Sequence, residues 1–283
     1  MNKFKLDTID TGIFGLDGGS MFGVVPKSLW AKAYHPGDAS NRIPLASSPL
    51  LVRWGNRNLL VDTGNGTNFS EKLASIYNID LEKSDIKLQL SKLGMKREEI
   101  TDVILTHLHF DHCGGSTYYE DGKLVPTFPN AKYYIQKEHL EWALQPTEKD
   151  RASFIKENYL PLLENNMLEL VEGEQELFDG IRVIPVDGHT RAMQMVKIED
   201  TSGIYLYIAD LAPTTAHLNI AFGLAFDNFP LTTIEEKKKY FKQAFLEDWT
   251  LIFEHDAFVR ATKIIATDKG FASGEVVTIS SSL

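Results

Sequence analysis

The chain has 283 residues, 43% of them hydrophobic, and a formal net charge of −10 that arises from 39 acidic and 29 basic side chains. This length and composition suit a globular protein with one sizeable core. The acidic balance argues against nucleic-acid partners, because phosphate backbones are bound by clustered Lys and Arg. No apolar run reaches the roughly 18 residues that a membrane-spanning helix needs.

Nothing in the sequence divides the chain, since it contains no linker, low-complexity tract or short repeat. We therefore expect a single domain over residues 1–283. The one cysteine, Cys113, excludes an internal disulfide and leaves the cellular compartment open. The N-terminus enters strand-like alternation without a hydrophobic signal core, so we expect a cytoplasmic protein unless a leader has been removed.

The predicted elements alternate between strands and helices. Alternating or β-branched apolar runs predict strands at 4–9, 50–54, 59–62 and 102–106. Helical periodicity predicts helices at 84–93, 138–144, within 150–164 and at 234–246, where Thr232 or Thr233 is the expected N-cap. This order predicts an α/β (α+β) fold, an αββα sandwich of two mixed sheets with helices outside.

Residues 18–30 form an apolar segment between the first two predicted strands. The segment is too hydrophobic for an ordinary exposed loop, and its large side chains are Met21, Phe22, Val24, Val25 and Trp30. Two interpretations are open. These side chains either plug the edge of the fold or form a hydrophobic wall that contacts the apolar part of a substrate.

A dense group of metal-binding side chains follows the predicted strand at 102–106. Three of the eight histidines and one carboxylate fall within six consecutive positions, as His107, His109, Asp111 and His112. Imidazole and carboxylate suit zinc and neighbouring first-row metals. Because Gly114 and Gly115 let the backbone turn sharply behind this group, one turn can serve two adjacent metal ions. The alternative is a histidine-rich loop that binds nothing.

Three further candidate ligands, His189, Asp210 and His255, each end an apolar, strand-like run elsewhere in the chain. Open α/β architectures bind their ligands at such strand ends, which meet at one edge of a sheet. We therefore expect these three side chains to join the first group in one centre.

Other polar residues near these motifs have different expected roles. Asp62, Asp187 and Asp256 flank the motifs and are expected to orient ligand imidazoles through hydrogen bonds, with Asp62 the best placed. His35 and His139 have no strand-end context and are expected at the surface. Cys113 adjoins a candidate ligand, but we expect its side chain to point into the core.

The order and spacing of the motifs resemble the metallo-β-lactamase-fold superfamily over roughly residues 45–260. The matching elements are HLHFDH at 107–112, His189, Asp210 and His255, preceded by the strand-ending Asp-x-Gly element at 62–64. The resemblance implies two divalent metal ions, with Zn²⁺ the expected metal. It assigns His107, His109 and His189 to one ion, Asp111, His112 and His255 to the other, and Asp210 with a water or hydroxide to the bridge.

Within this superfamily the flanking segments are similar to quorum-quenching lactonases of the YtnP type, at 18–30, 209–214, 216–217, 233–237 and 255–257. That similarity implies hydrolysis of N-acyl-homoserine lactones, whose ring carbonyl is attacked by the metal-bridging hydroxide. Residues 18–30 would then contact the acyl chain of this small-molecule substrate, in a wall that a homodimer can share. Asp111 would act as a ligand and also pass a proton to the leaving ring alkoxide.

One departure from better-known homoserine lactonases lies just after Asp210. Those enzymes carry a tyrosine three positions further on, which contacts the substrate carbonyl, and this chain has Pro213 there. A donor directed at the carbonyl must come from elsewhere, or the metal must suffice. His217, seven residues beyond Asp210, is the expected substitute and therefore a third candidate catalytic residue beside Asp111 and Asp210.

Other activities of the same fold stay open. An organophosphate triesterase or aryl esterase would use the same ligands, and so would another acyl hydrolase such as a thioesterase. A β-lactamase is disfavoured because those enzymes generally lack a bridging aspartate at the place of Asp210. A nuclease is disfavoured by the acidic charge of the chain.

Overall fold

Two mixed β-sheets pack face to face in the computed structural model, which describes residues 3–268 and 270–279. The strands are β1 (Lys5–Thr8), β2 (Ile13–Asp17), β3 (Arg42–Ala46), β4 (Leu50–Trp54), β5 (Arg57–Val61), β6 (Asp102–Ile104), β7 (Thr117–Glu120), β8 (Lys123–Pro126), β9 (Lys132–Gln136), β10 (Leu168–Val171), β11 (Gln175–Phe178), β12 (Ile181–Val186), β13 (Met193–Asp200), β14 (Gly203–Tyr207), β15 (Thr250–Ile252), β16 (Ala261–Thr267) and β17 (Gly270–Val276). The helices are α1 (Gly18–Phe22), α2 (Lys27–Ala33), α3 (Glu71–Tyr77), α4 (Ile86–Lys92), α5 (Phe110–Cys113), α6 (Lys137–Leu144), α7 (Leu160–Glu164) and α8 (Pro230–Leu246).

The first sheet has the strand order β1-β4-β5-β6-β9-β10. Strands β5, β6, β9 and β10 pair in parallel, whereas β1 and β4 are antiparallel to their neighbours. The strands predicted at 4–9, 50–54, 59–62 and 102–106 are confirmed within a few residues. Because β5 and β6 are parallel neighbours, the residues that follow their carboxyl ends meet at one edge of the sheet.

The second sheet runs from β11 to β17 in chain order, and its strands are antiparallel except for the parallel pair β14 and β15. Between the two sheets lies a fully buried layer that includes Val52, Val61, Ile104, Val183, Val196 and Ile252. The outer face of the first sheet packs against residues of α4 and α6, and that of the second against residues of α8. The predicted αββα arrangement is therefore confirmed.

The helix predictions are confirmed at α4 and α6, but two others need correction. Helix α8 begins at Pro230, and Phe229 at its N-cap makes no side-chain capping bond. Proline at a first helical position has its φ angle already set for a helix, so the predicted threonine caps lie inside the first turn. The helix expected within 150–164 is confined to α7. Among the helices of the described residues, none has the length and apolar character of a bilayer-spanning segment.

The apolar segment at 18–30 is not a loop but contains the short helices α1 and α2. Trp30 of α2 is buried against Gly18, where an added Cβ would lie 2.4 Å from the indole ring. The close approach of α1 and α2 therefore requires a glycine at position 18.

Candidate metal centre

Asp62 joins the carboxyl ends of β5 and β6. It follows β5 with a positive φ of 59°, and its carboxylate accepts two hydrogen bonds of 2.7 Å from the backbone N–H and the hydroxyl of Thr106. Thr106 directly precedes the first candidate ligand, His107. The start of the histidine-rich loop is therefore fixed by a buried, charge-assisted pair of bonds.

A close backbone contact fixes the other end of this loop. Gly115 donates a hydrogen bond of 3.1 Å to the carbonyl of Gly64, and an added Cβ on Gly114 would lie 1.9 Å from the carbonyl oxygen of Asn65. No side chain fits into that space. The two glycines behind the candidate ligands are thus needed for packing as well as for the turn.

The first ligand triad consists of His107, His109 and His189, all buried. Nδ1 of His109 lies 3.1 Å from Nε2 of His107 and 3.2 Å from Nε2 of His189. Nitrogen ligands about 2.05 Å from a tetrahedral Zn²⁺ are about 3.3 Å apart. The three nitrogens therefore converge as ligands of one metal ion do.

The charge state of two histidines of this triad suits a metal site. Burial, reinforced by the neighbouring imidazoles, holds the pKa of His107 and that of His109 well below the usual value. Both rings are neutral at physiological pH, so that each keeps a lone pair for a metal ion.

The second triad consists of Asp111, His112 and His255. Nε2 of His255 lies 3.0 Å from Nε2 of His112 and 3.6 Å from Oδ2 of Asp111. Helix α5 carries Asp111 and His112 in its only turn, while His255 follows β15 of the other sheet. This triad therefore connects the two sheets.

Asp210 lies between the two triads, at the end of β14. Its Oδ2 is 3.3 Å from Nε2 of His189, and its Oδ1 is 3.4 Å from Nε2 of His255. Oδ1 accepts no hydrogen bond of normal geometry from the residues that the structure describes. Burial opposes ionisation of Asp210, but the surrounding imidazoles outweigh it and lower the pKa of this carboxyl. An anionic carboxylate that faces both triads fits a bridging ligand for two cations.

In four of the five ligand imidazoles, the nitrogen that points away from the centre lies beside an oxygen atom, which fixes the orientation of the ring, whereas Nε2 of His109 has no hydrogen-bond partner among the described residues. Nδ1 of His107 lies 3.0 Å from Oγ1 of Thr106, that of His112 lies 3.1 Å from Asp62 and 2.8 Å from Glu254, that of His189 lies 3.1 Å from Asp227, and that of His255 lies 2.8 Å from the carbonyl of Ala46. The expected role of Asp62 thus agrees with the structure.

Two of the expected orienting carboxylates do not contact a ligand. Asp187 accepts a bond from the backbone of Ala192, and Asp256 accepts bonds from Thr215. These predictions were wrong because proximity in sequence to a motif does not set the direction of a side chain. Asp227 and Glu254 act in their place. Glu254 could have been predicted from the sequence because it adjoins the candidate ligand His255. Asp227 lies in a loop where no sequence pattern indicates such a role.

Glu254 and Asp62 share one imidazole edge of His112. Both carboxyls are fully buried, and burial raises the pKa of Glu254 to about 8 although the neighbouring His112 opposes this shift. Since a single N–H cannot serve two ionised acceptors equally, the protonated form of Glu254 relieves the repulsion between the two carboxyls.

His139 was expected at the surface, but it is fully buried beside the metal centre. Its Nε2 accepts a bond of 2.8 Å from the backbone N–H of Leu108, and its Nδ1 donates one of 2.6 Å to the carbonyl of Arg191. It therefore ties the histidine-rich loop to the loop that carries His189. His35 is partly buried rather than exposed, and Cys113 is buried in the core as expected.

A cavity of about 150 Å³ opens onto the metal centre. Its walls comprise the ligands His109, Asp111, His189, Asp210 and His255 together with Leu16, Met21, Leu45, Tyr77, Phe110, Lys149, Ala152, Ser153 and Phe226. One wall is therefore mostly apolar. A larger hollow of about 430 Å³ beside Arg260 includes none of the seven candidate ligands.

Lys149 and Asp150 hold the opposite wall of the cavity together. The ammonium of Lys149 donates bonds of 2.8 Å to the carbonyls of Phe226 and Asp227, and Asp150 accepts one of 2.7 Å from the side chain of Asn228. These bonds fix the loop from which Asp227 orients His189.

Residues 42–255 match the family model of the metallo-beta-lactamase superfamily, which is more than half of the chain. The chain belongs to the metallo-β-lactamase superfamily. An N-acyl homoserine lactonase from Bacillus cereus is 27% identical to this superfamily member over 173 residues, which are 61% of this chain and 62% of that protein. The match thus spans about three fifths of the length of that curated relative.

Two solved structures are similar over nearly the whole chain. A probable metal-dependent hydrolase from Staphylococcus aureus has a TM-score of 0.86 at 28% identity, and the match covers 98% of this chain and 99% of that one. AidC, a dizinc quorum-quenching lactonase in complex with its product N-hexanoyl-L-homoserine, has a TM-score of 0.80 at 18% identity with the same coverage. At that identity, the second similarity supports the metallo-β-lactamase fold alone.

In this superfamily member, the expected hydrophobic wall from residues 18–30 reaches the cavity only through Met21. Phe22 is fully buried between the rings of Trp30 and His217, at centroid distances of 5.5 and 4.7 Å. Val24 is 98% exposed, and Val25 is partly exposed and packs against the same cluster as Phe22. The geometry thus favours the interpretation in which most of these side chains plug the edge of the fold.

The structure also places His217 outside the cavity lining. Its Nε2 donates a bond of 2.8 Å to the carbonyl of Met21, and its Nδ1 accepts one of 2.8 Å from the hydroxyl of Thr214. Burial lowers the pKa of His217 to about 3, so the ring is neutral. Both nitrogens are engaged, which corrects the expectation that His217 contacts the substrate carbonyl. It supports the backbone of α1 instead.

We expect the protein to hold two metal ions per chain, and Asp210→Asn to lose at least one of them. The amide lacks the negative charge that faces both triads, and it is a weaker ligand. Elemental analysis after gel filtration measures the content. Asp187→Asn changes a nearby carboxylate that contacts no ligand and should keep both ions. Full metal content in Asp210→Asn would contradict the bridging position.

We expect Phe22→Ala to lower the free energy of unfolding by about 3–5 kcal/mol, because it removes a buried aromatic ring. Val24→Ala, a truncation at an exposed site of the same segment, should change it by less than about 0.5 kcal/mol. Urea unfolding of both variants measures the difference. Wild-type stability in Phe22→Ala would contradict the packing role of Phe22. It would favour the interpretation in which this side chain contacts the substrate.

Proposed function

We propose that the protein is a dinuclear metal-dependent hydrolase that opens the lactone ring of N-acyl-homoserine lactones. The observation that carries this proposal is the small cavity above Asp210, where both ligand triads are reached from one partly apolar space. The similarity to the Bacillus cereus lactonase supports the same substrate class.

The donor set fits two divalent ions, most simply Zn²⁺, because five imidazoles and two carboxylates leave coordination positions open towards the cavity. When bound, the ions supply Lewis acidity, which lowers the pKa of water towards neutrality and polarises a carbonyl oxygen. The residues that would hold them are the two triads and Asp210.

Hydrolysis adds one water across the ring ester. The hydroxyl goes to the carbonyl carbon, the bond from that carbon to the ring oxygen breaks, and a proton goes to the ring oxygen. Asp111 is the chain's candidate for moving this proton, because its carboxylate belongs to the second triad and also lines the cavity. Its position suits both holding an ion and meeting the leaving oxygen.

The apolar wall would contact the acyl chain. Leu16, Met21 and Leu45 line the cavity, and each methylene that they bury is worth roughly 0.8 kcal/mol. We therefore expect acyl-homoserine lactones to be preferred over the bare lactone ring, mainly through a lower KM.

The decisive experiment is a proton-release assay with N-hexanoyl-homoserine lactone, run in parallel with paraoxon and an acyl thioester. We expect the lactone to have the highest kcat/KM, and chelation of the metal to abolish turnover. A higher kcat/KM for paraoxon would contradict the lactonase assignment and indicate a phosphotriesterase. A higher kcat/KM for the thioester would indicate another acyl hydrolase.

We expect Asp111→Asn to slow lactone opening much more than hydrolysis of nitrophenyl acetate. The ring alkoxide needs a proton when it leaves, whereas nitrophenolate does not. Steady-state kinetics at matched metal content separate the two effects. Equal losses for both substrates would leave Asp111 as a ligand only.

A further inference from the structure

Tyr77, which carries a phenol hydroxyl, lines the cavity that opens onto the metal centre. It is the last residue of α3, and its ring stacks on that of Phe110 with a centroid distance of 4.9 Å and an interplanar angle of 28°. Phe110 directly precedes Asp111. The hydroxyl of Tyr77 makes no hydrogen bond to the residues that the structure describes, so it is free to bind a ligand.

The surroundings keep this hydroxyl protonated. Burial raises the pKa of Tyr77, and the negative charge of Asp111 raises it further. A phenol that remains neutral donates one hydrogen bond. Its most suitable acceptor is an electron-rich oxygen of the substrate. The second hydroxyl in the cavity wall belongs to Ser153, on the side of Lys149 rather than in the stack with Phe110.

We propose that the Tyr77 hydroxyl donates a hydrogen bond to the substrate oxygen beside Asp111, which is the ring oxygen that departs from the carbonyl carbon. This inference rests on the proposed lactonase function. The loop after Asp210 has Pro213 in place of a tyrosine and so provides no aromatic hydroxyl there. Tyr77 at the end of α3 would provide one instead. Because negative charge grows on that oxygen as the ring opens, the bond is stronger in the transition state than with the substrate.

The test uses Tyr77→Phe, which removes the hydroxyl and keeps the stacked ring. Inhibition by N-hexanoyl-homoserine, which carries the released hydroxyl, is compared with inhibition by N-hexanoyl-2-aminobutyrate, which lacks it. We expect the wild type to bind the first about three- to tenfold more tightly, and Tyr77→Phe to lose most of this preference. Tyr119→Phe, at an exposed position of β7, is the matched control and should keep the preference.

Turnover provides a second readout. We expect Tyr77→Phe to lower kcat for N-hexanoyl-homoserine lactone about tenfold or more, at unchanged metal content, and to lower kcat for nitrophenyl hexanoate less. Methyl hexanoate, which has a poor leaving group, should follow the lactone.

The outcomes separate this proposal from the function on which it rests. A variant Tyr77→Phe that keeps the inhibitor preference and the lactone kcat overturns the role of Tyr77 while the lactonase stands. A wild type that hydrolyses esters but no lactone overturns the lactonase function. The ratio of kcat for methyl hexanoate to kcat for nitrophenyl hexanoate, compared between the wild type and Tyr77→Phe, then still tests the role of Tyr77. An equal loss on both esters, with both inhibitors weakened alike, assigns Tyr77 to packing against Phe110 and also overturns the proposal.

Discussion

The candidate metal site depends on a close grouping of ligand nitrogens and oxygens that is energetically unfavourable without cations. Imidazole lone pairs and carboxylate oxygens from both sheets face one another across 3.0–3.6 Å in a buried space. Unprotonated imidazole nitrogens and carboxylate oxygens repel one another, and burial of an ionised carboxylate costs several kcal/mol unless it is compensated. The surrounding structure must therefore hold the ligands together, and metal ions would return that free energy as stability of the folded state.

The structure holds these groups with short polar contacts rather than with the apolar core alone. Asp62 fixes the start of the histidine-rich loop, the backbone contact at Gly114 fixes its end, and His139 ties it to the loop of His189. Each of these contacts is buried, so each is stronger than the same bond in water. Ligand position is thus set from several sides, as a precise metal site requires.

The candidate ligands could be predicted from the sequence because each one ends an apolar strand, and strand ends meet at one edge of the fold. The same reasoning recovered strands β1, β4, β5 and β6 and helices α4 and α6, whose hydrophobic patterns are regular. It failed where long-range packing decides. Asp227 reaches His189 from a loop 38 residues further along the chain, and no local pattern announces that contact. The burial of Phe22 and the exposure of Val24, two residues apart, likewise follow from the packing of α1 against α2.

The burial of Cys113 has a practical consequence for the whole molecule. It is the only cysteine of the chain, it is fully buried directly after His112, and burial raises the pKa of its thiol. A buried and protonated thiol does not react with alkylating reagents until the structure opens. The rate at which such a reagent labels the native protein therefore reports, without any introduced probe, how often the histidine-rich loop separates from the sheet beneath it.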